Sequence, residues 1–190
     1  STDFLHLFVG IERAMQSCTL CEMWTAYESK MFGLITDCVP VLKKDGGFIR
    51  NPLVTTDTYV DSSGDIVYGN KKTGEAAQAA KILFKECEID LSLLDQSVNQ
   101  MITKFLYMMP DCTNKTINSL RKKKLEHWDK NSQTNRDWLG LNMMTEAKAG
   151  FRAFNEGPRG NREVDFIKLR LELAKGTPWS EELVESILPR

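Results

Sequence analysis

From Phe4 to Met15 apolar side chains return at intervals of three and four, at Phe4, Leu5, Leu7, Phe8, Ile11 and Met15, the spacing that lines one face of a helix. Gly10 falls inside this run and predicts a break. Thr25 stands before a second periodic stretch as an N-cap, since its hydroxyl can accept a backbone N–H that the first helical turn leaves unpaired. Gly33 is placed to end that helix after Phe32. Leu34 to Leu42 loses the helical period and predicts a strand. Lys43 to Gly47 is turn chemistry, and Val54 to Val60 with Ile66 to Tyr68, around Asp61-Ser62-Ser63-Gly64-Asp65, predicts a β-hairpin. Helical spacing resumes over Glu75 to Cys87 and Leu91 to Met108, with a stop at Pro110. Thr113 then reads as the cap of a long polar helix carrying Ile117, Leu120, Leu125, Trp128, Trp138, Leu141 and Met144, interrupted around Asn131 to Asn135. Gly157 to Asn161 breaks the pattern before a helix over Glu163 to Ala174. Pro178, with Ser180 as cap, starts a last short helix to Ile187.

The predicted chain is mainly α with a small β-hairpin, and no internal repeat is visible. A hairpin by itself is marginal in water, and a lone apolar strand must pair with something. The pattern therefore predicts a chain that completes a larger α/β structure whose remaining strands are supplied elsewhere.

Composition narrows the function classes. Hydrophobic residues make up 42% and charged residues 27%, and no apolar run approaches the ~20 residues that span a bilayer, which excludes a membrane protein of the helical kind. A net charge of -1 is the wrong balance for a general nucleic-acid binder. Ser1 to His6 lacks the basic, apolar and small-residue sequence of a signal peptide. Five cysteines, an odd number, fit free thiols in a reducing cytoplasm.

The residues with chemistry of their own are few. Cys18-Thr19-Leu20-Cys21 has the spacing of a redox or zinc half-site, yet no second pair follows, and two buried thiols at a helix end is the plainer reading. His127, between Glu126 and Trp128 on a polar helix, reads as a surface histidine sooner than a general base, and His6 is no stronger. Asp3 reads as a helix-start cap or an acid/base group. Arg121-Lys122-Lys123-Lys124 is the densest basic run. It spans a full helical turn, so only part of it can face one phosphate: it is either a solvated face or a contact for coenzyme A phosphates. No phosphate-binding glycine loop and no Ser/His/Asp arrangement is present.

Two segments resemble the crotonase (enoyl-CoA hydratase) superfamily. Val9-Gly10-Ile11-Glu12-Arg13-Ala14-Met15, followed by Thr25-Ala26-Tyr27-Glu28-Ser29-Lys30-Met31-Phe32-Gly33-Leu34-Ile35-Thr36-Asp37-Cys38-Val39-Pro40, resembles the pattern in which a helix after a Gly-Gly turn leads to A-x-x-A-x-x-x-G-L-V-x-x-V-x-P. Thr145-Glu146-Ala147-Lys148-Ala149-Gly150-Phe151-Arg152-Ala153-Phe154-Asn155-Glu156-Gly157 resembles the terminal E-G-x-x-A-F-x-E-K-R signature. Here Gly157-Pro158-Arg159 replaces the usual Lys-Arg, which puts a basic contribution at that point in question. The tail as a whole looks like that of a ring-opening crotonase of anaerobic benzoyl-CoA degradation.

That resemblance implies the carboxyl-terminal part of an α/β crotonase fold. Residues 1–42 would end the core, 43–72 would be a hairpin insertion, and 73–190 would form a helical trimerisation and lid region. It implies a substrate that is a cyclic, unsaturated β-oxo acyl-CoA, opened by hydration and hydrolysis. No cofactor is implied beyond the coenzyme A of the substrate, and the oligomer would be a homotrimer or hexamer. The catalytic groups are expected upstream of Ser1, in an amino-terminal core of the same enzyme, so this chain alone would be inactive. Trp138 and Phe154 match positions where the family places aromatic residues against the acyl-CoA, with Phe151 a nearby third; Arg121 and Lys124 remain the phosphate candidates. Two other readings stand beside it. One is a crotonase of different substrate, an enoyl-CoA hydratase or dihydroxynaphthoyl-CoA synthase. The other is a non-enzymatic helical interaction module built on Trp128, Trp138 and the Met-rich stretch Met101 to Met109.

Overall fold

The computed structural model of the chain describes residues 3–189. Two compact units divide it, one running through Trp128 and the other from Asp129. Among the described residues helices dominate, with one small antiparallel sheet.

In the first unit the helices α1 (His6–Val9) and α2 (Ile11–Leu20) are parted at Gly10, as the periodicity predicted. Gly10 has φ +84°, a conformation that a side chain would oppose. Leu5, not Asp3, holds the cap position of α1, and Asp3 is buried. Helix α3 (Ala26–Met31) begins on a capping box: the Thr25 hydroxyl accepts from Glu28 N at 3.1 Å, and Thr25 N donates to the Glu28 carboxylate at 2.7 Å.

The strand expected over 34–42 is absent. The backbone N–H groups of Leu34 and Ile35 both donate to Ser29 O, at 2.9 and 3.3 Å, which folds this stretch back onto the end of α3, and Pro40 has no N–H to give a ladder. The strand starts later, as β1 (Leu42–Lys44), and turns at Asp45-Gly46 into β2 (Gly47–Ile49) with Lys44 opposite Gly47. Asp45 and Gly46 both have positive φ, 51° and 80°, so this is a two-residue type I′ hairpin made by an Asp-Gly pair. After α4 (Gly74–Lys85), β3 (Glu88–Ile89) pairs with the other side of β1 and gives the order β2-β1-β3. Lys43 reaches Asp90 at 3.0 Å and Lys44 reaches Glu86 at 2.6 Å, fastening the sheet to the chain that follows α4.

The hairpin expected over 54–60 and 66–68 is also corrected: only isolated bridges form, Val54 with Lys71 and Val60 with Ile66. Contacts with α3 compete with the ladder. The Thr25 hydroxyl donates to Gly69 O at 2.7 Å, and a Cβ at Gly69 would lie 2.8 Å from both Glu28 N and Tyr27 Cβ. Residues 50–72 are thus bound edgewise to α3.

Helix α5 (Ser92–Leu106) has no buried residue, and neither does α6 (Pro110–Met144), whose 35 residues run into the second unit. Pro110 starts α6 instead of closing α5, because the first position of a helix needs no N–H donor. Thr113 is inside the helix, its N–H and hydroxyl both donating to Met109 O. Asn131 to Asn135 does not interrupt α6. Its polar side chains bond locally along the helix, Ser132 Oγ to Asp129 O at 3.1 Å and Gln133 Nε2 to Asp137 at 2.9 Å, so the ladder survives.

The second unit holds the end of α6 and three further helices, α7 (Glu146–Glu156), α8 (Phe166–Ala174) and α9 (Glu181–Ile187). Asp165 caps α8 by accepting from Lys168 N, and Ser180 caps α9 by accepting from Leu183 N. Ala149, Ala153, Val164, Leu169, Leu183, Val184 and Ile187 form its core, with Trp179 and Leu188 against it. Small alanines on α7 let α9 come close, and Ile187 is fully buried there. At the rim Arg152 meets Glu156 at 3.0 Å and Glu185 at 2.7 Å, and Lys148 meets Glu181. Hydrogen bonds that the Arg152 guanidinium donates to Glu156 first and Glu185 second hold it charged and raise its pKa above the ordinary range.

Candidate functional site

The sequence candidates fall in separate places. Phe151 and Phe154 lie on α7, Trp138 on the later part of α6, and all three are exposed. Arg121 and Lys124 belong to the first unit, on the earlier part of α6. The basic run is spread around the helix, as its length demands. Lys124 Nζ sits 4.4 Å from the ring of Phe4, and Lys123 pairs loosely with Glu126 at 4.0 Å. No single phosphate is faced by all four cations.

The second unit contains a groove of about 440 Å³ between α7 and α8. Gly150 and Phe154 of α7, Phe166 and Arg170 of α8, and Arg162 and Trp179 are among its lining residues. The absence of a side chain at Gly150 leaves open space. Arg162 Cζ lies 5.4 Å from the centre of the Phe154 ring, over an aromatic face that remains 59% exposed. Phe151 and Trp138 are not among the groove's lining residues. Two guanidinium groups, Arg162 and Arg170, and two carboxylates, Glu146 and Glu163, stand among the apolar lining, so the groove offers a flat aromatic ring with charge of both signs around it.

Arg162 and Arg170 were missed in the sequence. The departure at Gly157-Pro158-Arg159 puts a basic contribution at that point in question, whereas the turn at residues 157–161, closed by Asn161 N donating to Pro158 O at 3.0 Å, returns the chain so that Arg162 meets Phe154. The glycine-rich turn was the available signal.

His6 and His127 were read as unrelated surface groups. Their rings stand edge to face, 4.9 Å between centroids, beside the Phe4–Trp128 contact at 6.5 Å, all within the first unit. A sequence gives no hint of that pairing across so many residues. Cys18 is half-buried and Cys21 exposed, at a left-handed backbone position with φ 54°, so these are not the two buried thiols expected. All five cysteines are free, and among the described residues no group of three or more His, Cys, Asp or Glu is placed to hold a metal ion. Among the described residues no helix is long and apolar enough to cross a membrane.

Neither a family model nor a solved structure matches the chain. Three curated proteins do. The chain is 52% identical, over 190 residues, to a 6-oxocyclohex-1-ene-1-carbonyl-CoA hydrolase of Geobacter metallireducens, which covers 100% of this chain and 50% of that protein. The protein of the same name from Thauera aromatica is 50% identical with the same coverage, and that from Syntrophus aciditrophicus is 44% identical over 194 residues, 99% of this chain and 50% of its own length. This chain is homologous to the carboxyl-terminal half of these hydrolases. It spans about half the length of the curated relatives it matches. The identity to these hydrolases extends from end to end of the chain and so includes residues 9–40, 43–72 and 145–157.

Proposed function

We propose that this chain is the carboxyl-terminal half of a cytoplasmic 6-oxocyclohex-1-ene-1-carbonyl-CoA hydrolase of the crotonase superfamily, working with an amino-terminal half that its relatives carry. The observation that carries this reading is 44–52% identity sustained along the whole chain to three hydrolases of that name. The reaction adds one water to the ring alkene and uses a second to cleave a ring carbon–carbon bond, leaving 3-hydroxypimeloyl-CoA. Both steps place negative charge on a carbonyl oxygen, which N–H donors aimed in advance stabilise by about 3–4 kcal/mol each in a site that excludes water. The donors and the acid/base groups belong to the amino-terminal half.

This half contributes the helical cover. Phe154 with Arg162 forms a contact for the coenzyme A portion of the substrate, and Phe151 and Trp138 offer further aromatic surface. Arg121 and Lys124 serve at most as separate phosphate contacts, since Lys124 is already engaged by Phe4. The unpartnered apolar residues of α5 and α6 are surfaces for the other half and for neighbouring subunits of a trimer or hexamer. The test is to produce this chain with the amino-terminal half and to follow 6-oxocyclohex-1-ene-1-carbonyl-CoA by mass spectrometry. Gain of two waters by the complex, and none by the 190-residue chain alone, supports the proposal. Ring opening by this chain alone would place the catalytic groups within it and overturn the assignment.

A further inference from the structure

Helix α5 starts half-covered and ends bare. Leu94, Val98, Met101 and Phe105 recur at intervals of four, three and four, which at about 100° per residue sets all four within an arc of roughly 60°. Gln96, Asn99, Gln100 and Thr103 occupy the opposite side. The apolar stripe is not equally exposed along its length. Just before the helix, Asp90 is tied to the sheet, its N–H donating to Val41 O at 2.9 Å and its carboxylate meeting Lys43 at 3.0 Å. Next to that anchor Leu94 is half-buried. Exposure then climbs to 47% at Val98, 49% at Met101, 54% at Phe105 and 83% at Tyr107, just past the last turn. Burial that begins at the sheet and fades along one continuous stripe marks the edge of an apolar layer whose remainder lies in another segment.

The curated hydrolases carry such a segment. Each has about as much chain again, ahead of the half that matches here. It would join this chain just before Asp3 and Phe4, and Phe4 lies against Trp128 in the same compact unit as α5. A segment tethered there meets α5 at an effective concentration of about millimolar, far above that of a separate molecule at micromolar levels. Charge speaks against a lipid surface, because from Ser92 to Leu106 the helix has Asp95 and Lys104 as its only charged residues and lacks a cationic border. We propose, on the reading that this chain is the carboxyl-terminal half of such a hydrolase, that the Leu94–Val98–Met101–Phe105 stripe is covered by an apolar face of the amino-terminal half of the same polypeptide. Helix α5 is then an internal helix of the complete enzyme and takes no part in contacts between subunits.

The experiment uses the full polypeptide, both halves on one chain. In the unmodified protein, amide hydrogen exchange over residues 98–105 is expected to be slowed by about 100-fold or more relative to open chain, and to the same degree before and after 100-fold dilution. Met101→p-benzoylphenylalanine, irradiated and run under denaturing conditions, is expected to give a product with the mass of one polypeptide, whose cross-linked peptide comes from the amino-terminal half. A product with the mass of two polypeptides, or protection that falls on dilution, would make the cover a second copy and overturn the proposal. Fast exchange in the undiluted protein, or a cross-link to another part of residues 1–190, overturns it as well. Turnover of 6-oxocyclohex-1-ene-1-carbonyl-CoA by the unmodified sample separates the two readings: the expected cross-link without ring opening would remove the activity and leave the packing, and ring opening with a cross-link between copies would do the reverse.

Discussion

Gly157 should be the costliest glycine in the second unit to replace, for a reason opposite to the usual one. Its backbone, φ -66° and ψ 150°, suits any residue. A Cβ placed there, however, would lie 2.7 Å from Asn161 O and 2.8 Å from Pro189 Cγ, and closer still to Ala153 O. Two of these three atoms are backbone carbonyl oxygens, held by Gly157 N donating to Ala153 O and by the turn through Asn161, and neither can swing aside as a side chain could. Overpacking against fixed atoms costs about 1–3 kcal/mol. We expect Gly157→Ala near the upper half of that range, a loss of roughly 30-fold in the local opening equilibrium at about 2 kcal/mol. Gly160 is the control: φ is +98° with nothing near its missing Cβ. Alanine there meets backbone strain of about 1–2 kcal/mol, offset by about 0.4–1 kcal/mol of lost unfolded-state freedom, for a net of about 1 kcal/mol or less. Amide hydrogen exchange over α7 to α9 in the full protein measures both. Faster exchange in Gly160→Ala than in Gly157→Ala would falsify the steric argument.

Three further outcomes follow from the same contacts. Thr25→Ala should destabilise the junction of α3 with residues 50–72 by about 1–2 kcal/mol, since it removes a helix cap and the hydroxyl that binds Gly69 O, while Thr25→Ser should recover most of it in urea titrations. Ile187→Ala should cost about 2–5 kcal/mol and Ile187→Val about 0.5–1.5 kcal/mol, read as local exchange; equal effects would show that the site is not the close-packed centre described. Asp90 is held at about 2, below its ordinary 3.8, first by bonds from Ser92 and then by Lys43. Because the folded value is the lower one, its contribution is complete above about 4 and disappears as pH falls toward 2. Asp90→Asn should therefore flatten the acid limb of the stability curve there and nowhere else.

How much could be read beforehand depended on whether a residue's partners were near it in sequence. Thr25 with Glu28, Ser180 with Leu183 and the break at Gly10 are settled within one turn of chain, and all were legible. Leu34 to Leu42 looked like a strand because its apolar residues say nothing about Ser29 O, which draws two of its N–H groups away. The true hairpin at Asp45-Gly46 carried the strongest local signal in the region, yet its strands are three residues long and show no alternation. Residues 53–72 lost their ladder to α3, a competition invisible to periodicity. At the candidate groove, Phe154 was legible through likeness to a family pattern, whereas Arg162 had to wait for the path of the 157–161 turn.

Helix α6 raises a question of molecularity. It has 35 residues, and none of them is buried. Helices in water draw most of their stability from an apolar face set against something else, and this one is mostly polar while holding Trp128 and Trp138 exposed. Completing it is then a step whose reaction order exceeds one if the cover comes from other chains. Diluting the protein should loosen this helix before any other, and a melting temperature quoted for the protein has meaning only with its concentration beside it.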